Sequence, residues 1–170
     1  MIKIYTDGSC IGKNQRGAKN EGGWGYVVYE NNRIIAAKSG RKAQTTNNEM
    51  ELTAIVEALI DYGVPSDSWD IPVLYSDSAY SVNSLTCWYH NWRNNAWKRK
   101  GDLPIENLSL IQTAISLIEG AHYLDIQKIK GHEGLEGNEI ADLLATGKIA
   151  PNKLLELNYE ELQQILKNKK

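Results

Sequence analysis

The apolar residues of this chain change their spacing near residue 48, and that change limits the folds open to it. Over residues 2–7, Ile2, Ile4 and Thr6 fall on one side of an extended chain and Lys3, Tyr5 and Asp7 on the other, the period of a strand. A polar, glycine-rich stretch follows over about 8–23. Two more strand-like runs, 24–29 and 33–38, flank Asn31 and Asn32; Asn tolerates positive φ, so the pair reads as a tight hairpin turn. From Asn48 the period becomes helical, with Leu52, Ile55, Val56, Leu59 and Ile60 on one face and Gly63 and Pro65 as the stop. A short buried strand is expected at 73–76 and a weaker helix at about 78–86. Leu108, Ile111, Ile115 and Ile118 mark another helix, closed by Gly120; the last strand is expected at 124–129. Ile140, Leu143 and Leu144 then face a core from a further helix. A strand meander that gives way to strands alternating with helices predicts an α/β fold with a mixed sheet flanked by helices. Beyond Pro151 a short helix is expected, capped by Asn158 with Glu161 three residues on, followed by Leu162, Ile165 and Leu166.

Four carboxylates sit at the ends or starts of these elements. Asp7 and Asp77 close strands, Glu51 lies in the first turn of the 48–62 helix, and Asp142 opens a later helix. Acids so placed can converge at one edge of a sheet, where they repel unless a cation lies between them. An oxygen-only ligand set suits Mg²⁺ or Mn²⁺ rather than zinc, and paired hard cations suit in-line attack on a phosphodiester. Each acid also has a plainer reading. Asp7-Gly8 is common turn chemistry, Asp77 can cap a helix, and Glu51 can answer a helix dipole. The stretch from Lys130 to Asp142 resists such a reading better. It sets three glycines, His132, Asn138 and Asp142 between a strand and a helix, as in a loop that approaches a ligand closely.

A length of 170 residues is most simply one domain with a real core. No apolar run approaches the ~20 residues of a membrane span, and residues 1–7 carry no secretory apolar region. Cys10 and Cys87 lack metal-ligand spacing and suggest a reduced, cytoplasmic protein rather than a disulfide scaffold. The net charge of −2 gives no global attraction for nucleic acid, so such a partner needs a local patch. Trp88, Trp92 and Trp97, with Arg93, Lys98, Arg99 and Lys100, form the one aromatic and basic segment of that kind. It reads either as a packing face with a solvated end or as a phosphate grip.

Taken in order, Tyr5-Thr-Asp-Gly-Ser-Cys10, Gly22-Gly-Trp-Gly25, Thr45-Thr-Asn-Asn-Glu-Met-Glu-Leu52, Tyr75-Ser-Asp-Ser78 and the loop from Gly131 to Asp142 resemble type 1 ribonuclease H over residues 2–146. The resemblance implies a five-stranded mixed sheet, an antiparallel meander and then parallel strands, flanked by helices. It implies a catalytic domain over 1–147, with 148–170 as an extension of that domain or an appended tail. It implies that Asp7, Glu51, Asp77 and Asp142 hold two Mg²⁺ ions, for which Mn²⁺ substitutes. The RNA strand of an RNA–DNA hybrid would be cut to leave 3′-hydroxyl and 5′-phosphate ends. His132 would move a proton or help product depart. Thr46 and Asn47 would meet the hybrid near the cut, where 2′-hydroxyls distinguish RNA. Cys10, Asn14 and Asn138 match or adjoin hybrid-contacting positions, with Cys10 equally readable as an inert thiol. Residues 88–100 resemble a basic protrusion that grips the DNA strand through Trp88, Trp92, Lys98, Arg99 and Lys100.

The chain departs from the pattern in places. The stretch from Cys10 to Gly22 is long and carries Lys13, Arg16 and Lys19, Ala79 stands where many relatives have Gln, and Glu49 stands where some have a basic residue. The expected form is a monomeric, stand-alone bacterial or phage-like enzyme without a preceding hybrid-binding domain. A non-catalytic hybrid-binding module and a nuclease domain from a reverse transcriptase are the alternatives. A dinucleotide-binding fold is excluded because Gly22-Gly-Trp-Gly25 precedes a strand, not a helix.

Overall fold

The computed structural model describes residues 1–12, 20–63, 71–121, 124–131 and 135–169. Five strands, β1 (Ile2–Cys10), β2 (Asn20–Glu30), β3 (Arg33–Thr45), β4 (Val73–Ser76) and β5 (Asp125–Lys128), form one sheet in the order β3-β2-β1-β4-β5. The pairs β1–β2 and β2–β3 are antiparallel; β1–β4 and β4–β5 are parallel. This is the mixed sheet expected from the order of periods. The β2–β3 hairpin turns on Asn31 and Asn32 with φ of 49° and 67°, the left-handed pair that a two-residue turn needs.

Helices α1 (Asn47–Tyr62) and α4 (Leu108–Gly120) pack on one core with Ile4, Tyr26, Val28 and Leu74. Helices α5 (Glu136–Ala145), α6 (Pro151–Glu156) and α7 (Tyr159–Lys169) share a second core with Val27 and Tyr29. Alternate residues of β2 therefore enter different cores, which is why 24–29 reads as an unbroken apolar run. On α1, Leu52, Ile55 and Leu59 are buried to 1% exposure or less, each contributing roughly 1.5–3 kcal/mol of transfer free energy. Ile60, assigned to that face by spacing, is instead 57% exposed.

Three stretches differ from the sequence expectation. Among the described residues of the glycine-rich run, 8–10 and 20–23 are strand, since β1 continues to Cys10 and pairs it with Gly22. The helix expected at 78–86 runs on as α2 (Ala79–Asn83), a π-helical turn (Ser84–Trp88) and α3 (Tyr89–Asn94). Helix α6 was not anticipated; the capping box of α7 was. The Asn158 side chain accepts from the Glu161 N–H at 2.8 Å, and the Asn158 N–H donates to the Glu161 carboxylate at 3.1 Å. Among the described residues no helix is long and apolar enough to cross a membrane. Pro65 lies outside the described residues.

Candidate active site

The parallel register of β1 and β4 brings two of the acids together. Thr6 lies beside Ser76, so Asp7 and Asp77 follow one residue on, side by side along the same sheet edge. Glu51 reaches them from α1 because Gly8 has no side chain: a Cβ there would lie 2.2 Å from the Glu51 nitrogen. One ligand oxygen from each of Asp7, Glu51 and Asp77 falls within 4.8 Å of the others. Asp142 comes from α5 and lines the same cleft, of about 920 Å³. Helix α5 approaches the sheet through Gly137, where a Cβ would meet the Tyr5 ring at 2.3 Å.

The plainer readings of these acids do not describe their local structure. Asp7 is not in a turn, because β1 continues past it. Asp77 is not a cap; the Ser78 hydroxyl caps α2 by accepting from the Ser81 N–H at 3.1 Å. Glu51 is not in the first turn of its helix. Thr46 caps α1 by accepting from the Glu49 N–H at 3.1 Å, so Glu49 is the first-turn acid. Asp142 does not open a helix either, since α5 starts at Glu136 and carries Asp142 in its interior.

Burial makes this an expensive place for negative charge. Asp7 is 6% exposed and Glu51 8% exposed. Burial, then the charge of Asp77, pushes the Asp7 carboxyl up to about 8. Burial and the charges of Asp7 and Asp77 push Glu51 well above the ordinary carboxylate range, against the pull of the Gly8 N–H. A hydrogen bond between them favours the charge on Asp7 and the proton on Glu51. Glu51 Oε2 is buried with no hydrogen-bond partner. An orphaned buried carboxylate oxygen among converging acids fits a cation, and the all-oxygen donor set fits a hard one.

Three of the other residues singled out by sequence, Cys10, Asn47 and Asn138, also line this cleft. Asn47 Oδ1 accepts from the Cys10 N–H at 2.8 Å, tying the end of β1 to the start of α1. Cys10 is half-buried, and burial raises its thiol pKa. Thr46 is half-buried as the α1 cap and Asn47 is exposed. Asn138 is 6% exposed inside α5, and its Oδ1 is buried without a partner. Glu49 turns aside: it accepts from the Thr45 hydroxyl at 2.8 Å and pairs with Lys42. Sequence reasoning missed Lys169 of α7, whose Nζ lies 2.7 Å from Asp142 Oδ2 and lines the cleft. Its signal was present, because Lys169 follows Leu162 by seven residues and so shares the apolar face of α7.

The aromatic and basic segment is not one helix. Helix α3 ends at Asn94, and Ala96 and Trp97 have φ of 54° and 58°. The Asn95 side chain then donates to the carbonyl of Lys98 at 2.9 Å, and the Arg99 N–H donates to that of Leu103 at 2.8 Å. This turn presents Lys98, Arg99 and Lys100 exposed beside a groove that includes Trp92. Trp92 is half-buried against the core, with Trp88 6.0 Å away between ring centroids and 39% exposed. Arg93 is committed elsewhere, paired with Glu119 and set over the rings of Tyr89 and Trp97. His132, Asn14, Lys13, Arg16 and Lys19 lie outside the described residues.

A family model described as RNase H matches residues 1–150. The ribonuclease H of Jannaschia sp. (strain CCS1) is 38% identical over 156 residues, 89% of this chain and 93% of the relative. Ribonuclease HI of Haemophilus influenzae is 40% identical over 157 residues, 92% of this chain and 94% of the relative. Among solved structures, LC9-RNase H1, a type 1 RNase H with the type 2 active-site motif, superposes with a TM-score of 0.72 at 34% identity, covering 86% of this chain and 70% of the other. LC11-RNase H1, solved in complex with an RNA/DNA hybrid, shares the fold with a TM-score of 0.60 at 24% identity, covering 92% of this chain and all of the other.

Proposed function

The chain belongs to the ribonuclease H family of metal-dependent endonucleases, and we propose that it hydrolyses the RNA strand of RNA–DNA hybrids by a two-metal, in-line attack that leaves 3′-hydroxyl and 5′-phosphate ends. The observation that carries this reading is the convergence of Asp7, Glu51 and Asp77 with an orphaned Glu51 oxygen among them. Two Mg²⁺ ions, or Mn²⁺ in their place, would be held by these three acids and Asp142. When bound, they supply a deprotonated attacking water and charge stabilisation at the departing 3′ oxygen.

The chain's own residues do the rest. Asp7 contacts both Glu51 and Asp142 and would help hold the metal together with each of them. Asn47, Cys10 and Asn138 line the cleft; Asn47 would meet the minor groove of the hybrid and Thr46, the α1 cap beside it, would contact the nucleic acid near the cut. Asn14 adjoins this contact set in sequence. The basic turn, with Trp88 and Trp92 behind it, holds DNA-strand phosphates. Cytoplasmic action as a monomer is part of this reading; Cys10 and Cys87 as free thiols accord with a reducing compartment. A non-catalytic hybrid-binding module is disfavoured, because such a module has no need of four intact acids.

One gel tests this. Labelled RNA–DNA hybrid, double-stranded RNA and single-stranded RNA are each incubated with Mg²⁺, Mn²⁺ or a chelator. Cleavage of the hybrid alone, lost with chelator, is expected. Cleavage that persists in chelator, or equal cutting of single-stranded RNA, overturns the proposal.

His132→Ala should slow steady-state turnover by roughly 10²-fold, the range of a general acid–base group, without abolishing it, since water or buffer can carry the proton. An unchanged rate returns His132 to a solvated loop residue.

Replacing Lys98, Arg99 and Lys100 together by Ala should weaken binding in a salt-dependent way. Each phosphate contact contributes roughly −0.9 to the slope of log affinity against log salt, so the slope should become shallower by about two to three. KM should rise while kcat changes little, the mark of lost uniform binding. Parallel slopes for variant and wild type would move the grip elsewhere.

A further inference from the structure

We propose that Lys169 is a positioning residue of the catalytic site, whose ammonium group holds Asp142 and competes with divalent cations for that carboxylate. The inference rests on the metal-dependent reading above and adds to it a residue outside positions 1–150, the span of the family match.

The placement of Lys169 is built into the fold. The Asn158–Glu161 capping box starts α7. Leu162 and Leu166 fix the helix on the second core with Val27, Ile140 and Leu144. The Gln163 side chain donates to Glu136 at 2.7 Å and so ties α7 to α5. Lys169 therefore emerges over α5 with its side chain only 16% exposed. Its Nζ lies 2.7 Å from Asp142 Oδ2 and donates to the Glu139 carbonyl at 3.1 Å. Both partners belong to α5, so the ammonium group is held at two points.

Its surroundings give that contact a consequence. Lys169 is the one Lys or Arg among the described residues lining the cleft, where Asp7, Glu51, Asp77 and Asp142 gather. An ammonium group and a hard divalent ion seek the same carboxylate oxygens, and the ammonium also repels the ion. Both effects disfavour metal at Asp142 while Lys169 is in place, and both vanish with the charge. Asp142 side-chain exposure of 26% keeps the pair partly screened, which bounds the effect at about two- to fivefold in metal affinity.

Mg²⁺ and Mn²⁺ binding to the substrate-free full chain, measured by calorimetry at fixed ionic strength, tests the proposal. Lys169→Met keeps the apolar stem and should lower the metal Kd about two- to fivefold. Lys169→Arg keeps the charge and should bind as wild type does. In an Asp142→Asn background, adding Lys169→Met should change the Kd much less, because the contested carboxylate is gone. Thermal melting of the same proteins is recorded alongside. An unchanged or weaker metal affinity in Lys169→Met overturns the proposal, and a lower Tm in that case identifies Lys169 as a mere anchor of α7. Wild type that binds neither ion would overturn the metal-dependent reading as well, whereas wild-type binding without a response to Lys169→Met overturns this inference alone.

Discussion

Asp7→Asn should lower hybrid cleavage in Mg²⁺ by at least about 10³-fold while leaving hybrid binding largely in place. Asn preserves the size of the side chain but removes the charge and one of two carboxylate oxygens. That loss falls on the acid in contact with both Glu51 and Asp142. Binding should persist because the grip proposed for Lys98, Arg99 and Lys100 belongs to a different part of the chain. The same substitution should stabilise the metal-free protein. The folded Asp7 carboxyl titrates near 8 against an ordinary 3.8, so between those values the folded state keeps a proton that the unfolded chain has released. Metal-free wild type therefore loses stability as pH climbs from about 4 to about 8, and Asn at position 7 removes the Asp7 share of that slope. At pH 8 with chelator, the variant should melt a few degrees above wild type. Single-turnover cleavage, filter binding and melting curves check the three statements. Near wild-type cleavage by Asp7→Asn in Mg²⁺ would sink the mechanism, and a lower Tm in chelator would show that Asp7 carries no electrostatic strain.

The acids were legible in the sequence for a reason that also explains the errors around them. Their convergence depends on where strands and helices start and stop, and apolar period reports that to within a few residues. It placed the end of β4 and the course of α1 well enough to bring Asp77 and Glu51 toward Asp7. It missed the true boundary of α5 because the glycines at 131, 134 and 137 hide a helix start, so Asp142 was set at the wrong point on its helix. Gly22 and Gly23 likewise resembled loop, although in the sheet they are ladder positions opposite Cys10 and Ser9. Turn and capping chemistry failed at Asp7-Gly8 and Asp77 and held at two other places. Asn31 and Asn32, and the Asn158–Glu161 box, act in the structure as their residue types require.

What stayed hidden was long-range or irregular. No local rule foretells the π-helical turn at 84–88 or the left-handed residues Ala96 and Trp97, which convert an apparent helix into a held basic turn. Lys169 is the clearer case. Its place on the apolar stripe of α7 could be read from spacing, but its partner Asp142 lies 27 positions earlier on another helix. Only the docking of α7 through Leu162 and Leu166 joins the two. Glu49 shows the converse. It lies two residues from Glu51 in sequence, yet Thr45 and Lys42 draw it away.

The geometry of the site also depends on an atom that is missing, and Gly8→Ala should expose that dependence. Gly8 pairs with Trp24 within the ladder, so its backbone cannot shift freely. An added Cβ would sit 2.2 Å from the Glu51 nitrogen and 2.3 Å from the Met50 carbonyl carbon. Both are backbone atoms of α1, so no flexible side chain can yield. The helix must retreat, and with it Met50, Leu52 and Ile55, each at most 1% exposed. Forcing a packed core apart in this way costs about 1–3 kcal/mol, or a few to ten degrees in Tm for a domain of this size. The retreat also carries Glu51 away from Asp7 and Asp77. A displacement of roughly 1 Å at a reacting centre can cost about 10²-fold in rate, so cleavage should fall by at least that factor at temperatures well below the melting transition. Metal affinity should fall with it, while hybrid binding through the basic turn is retained. Gly120→Ala is the control, since a Cβ at that position meets nothing within 4 Å. It should leave Tm and cleavage at wild-type values. If Gly8→Ala matched it in both, α1 would not need the bare backbone of β1 to bring Glu51 to its partners.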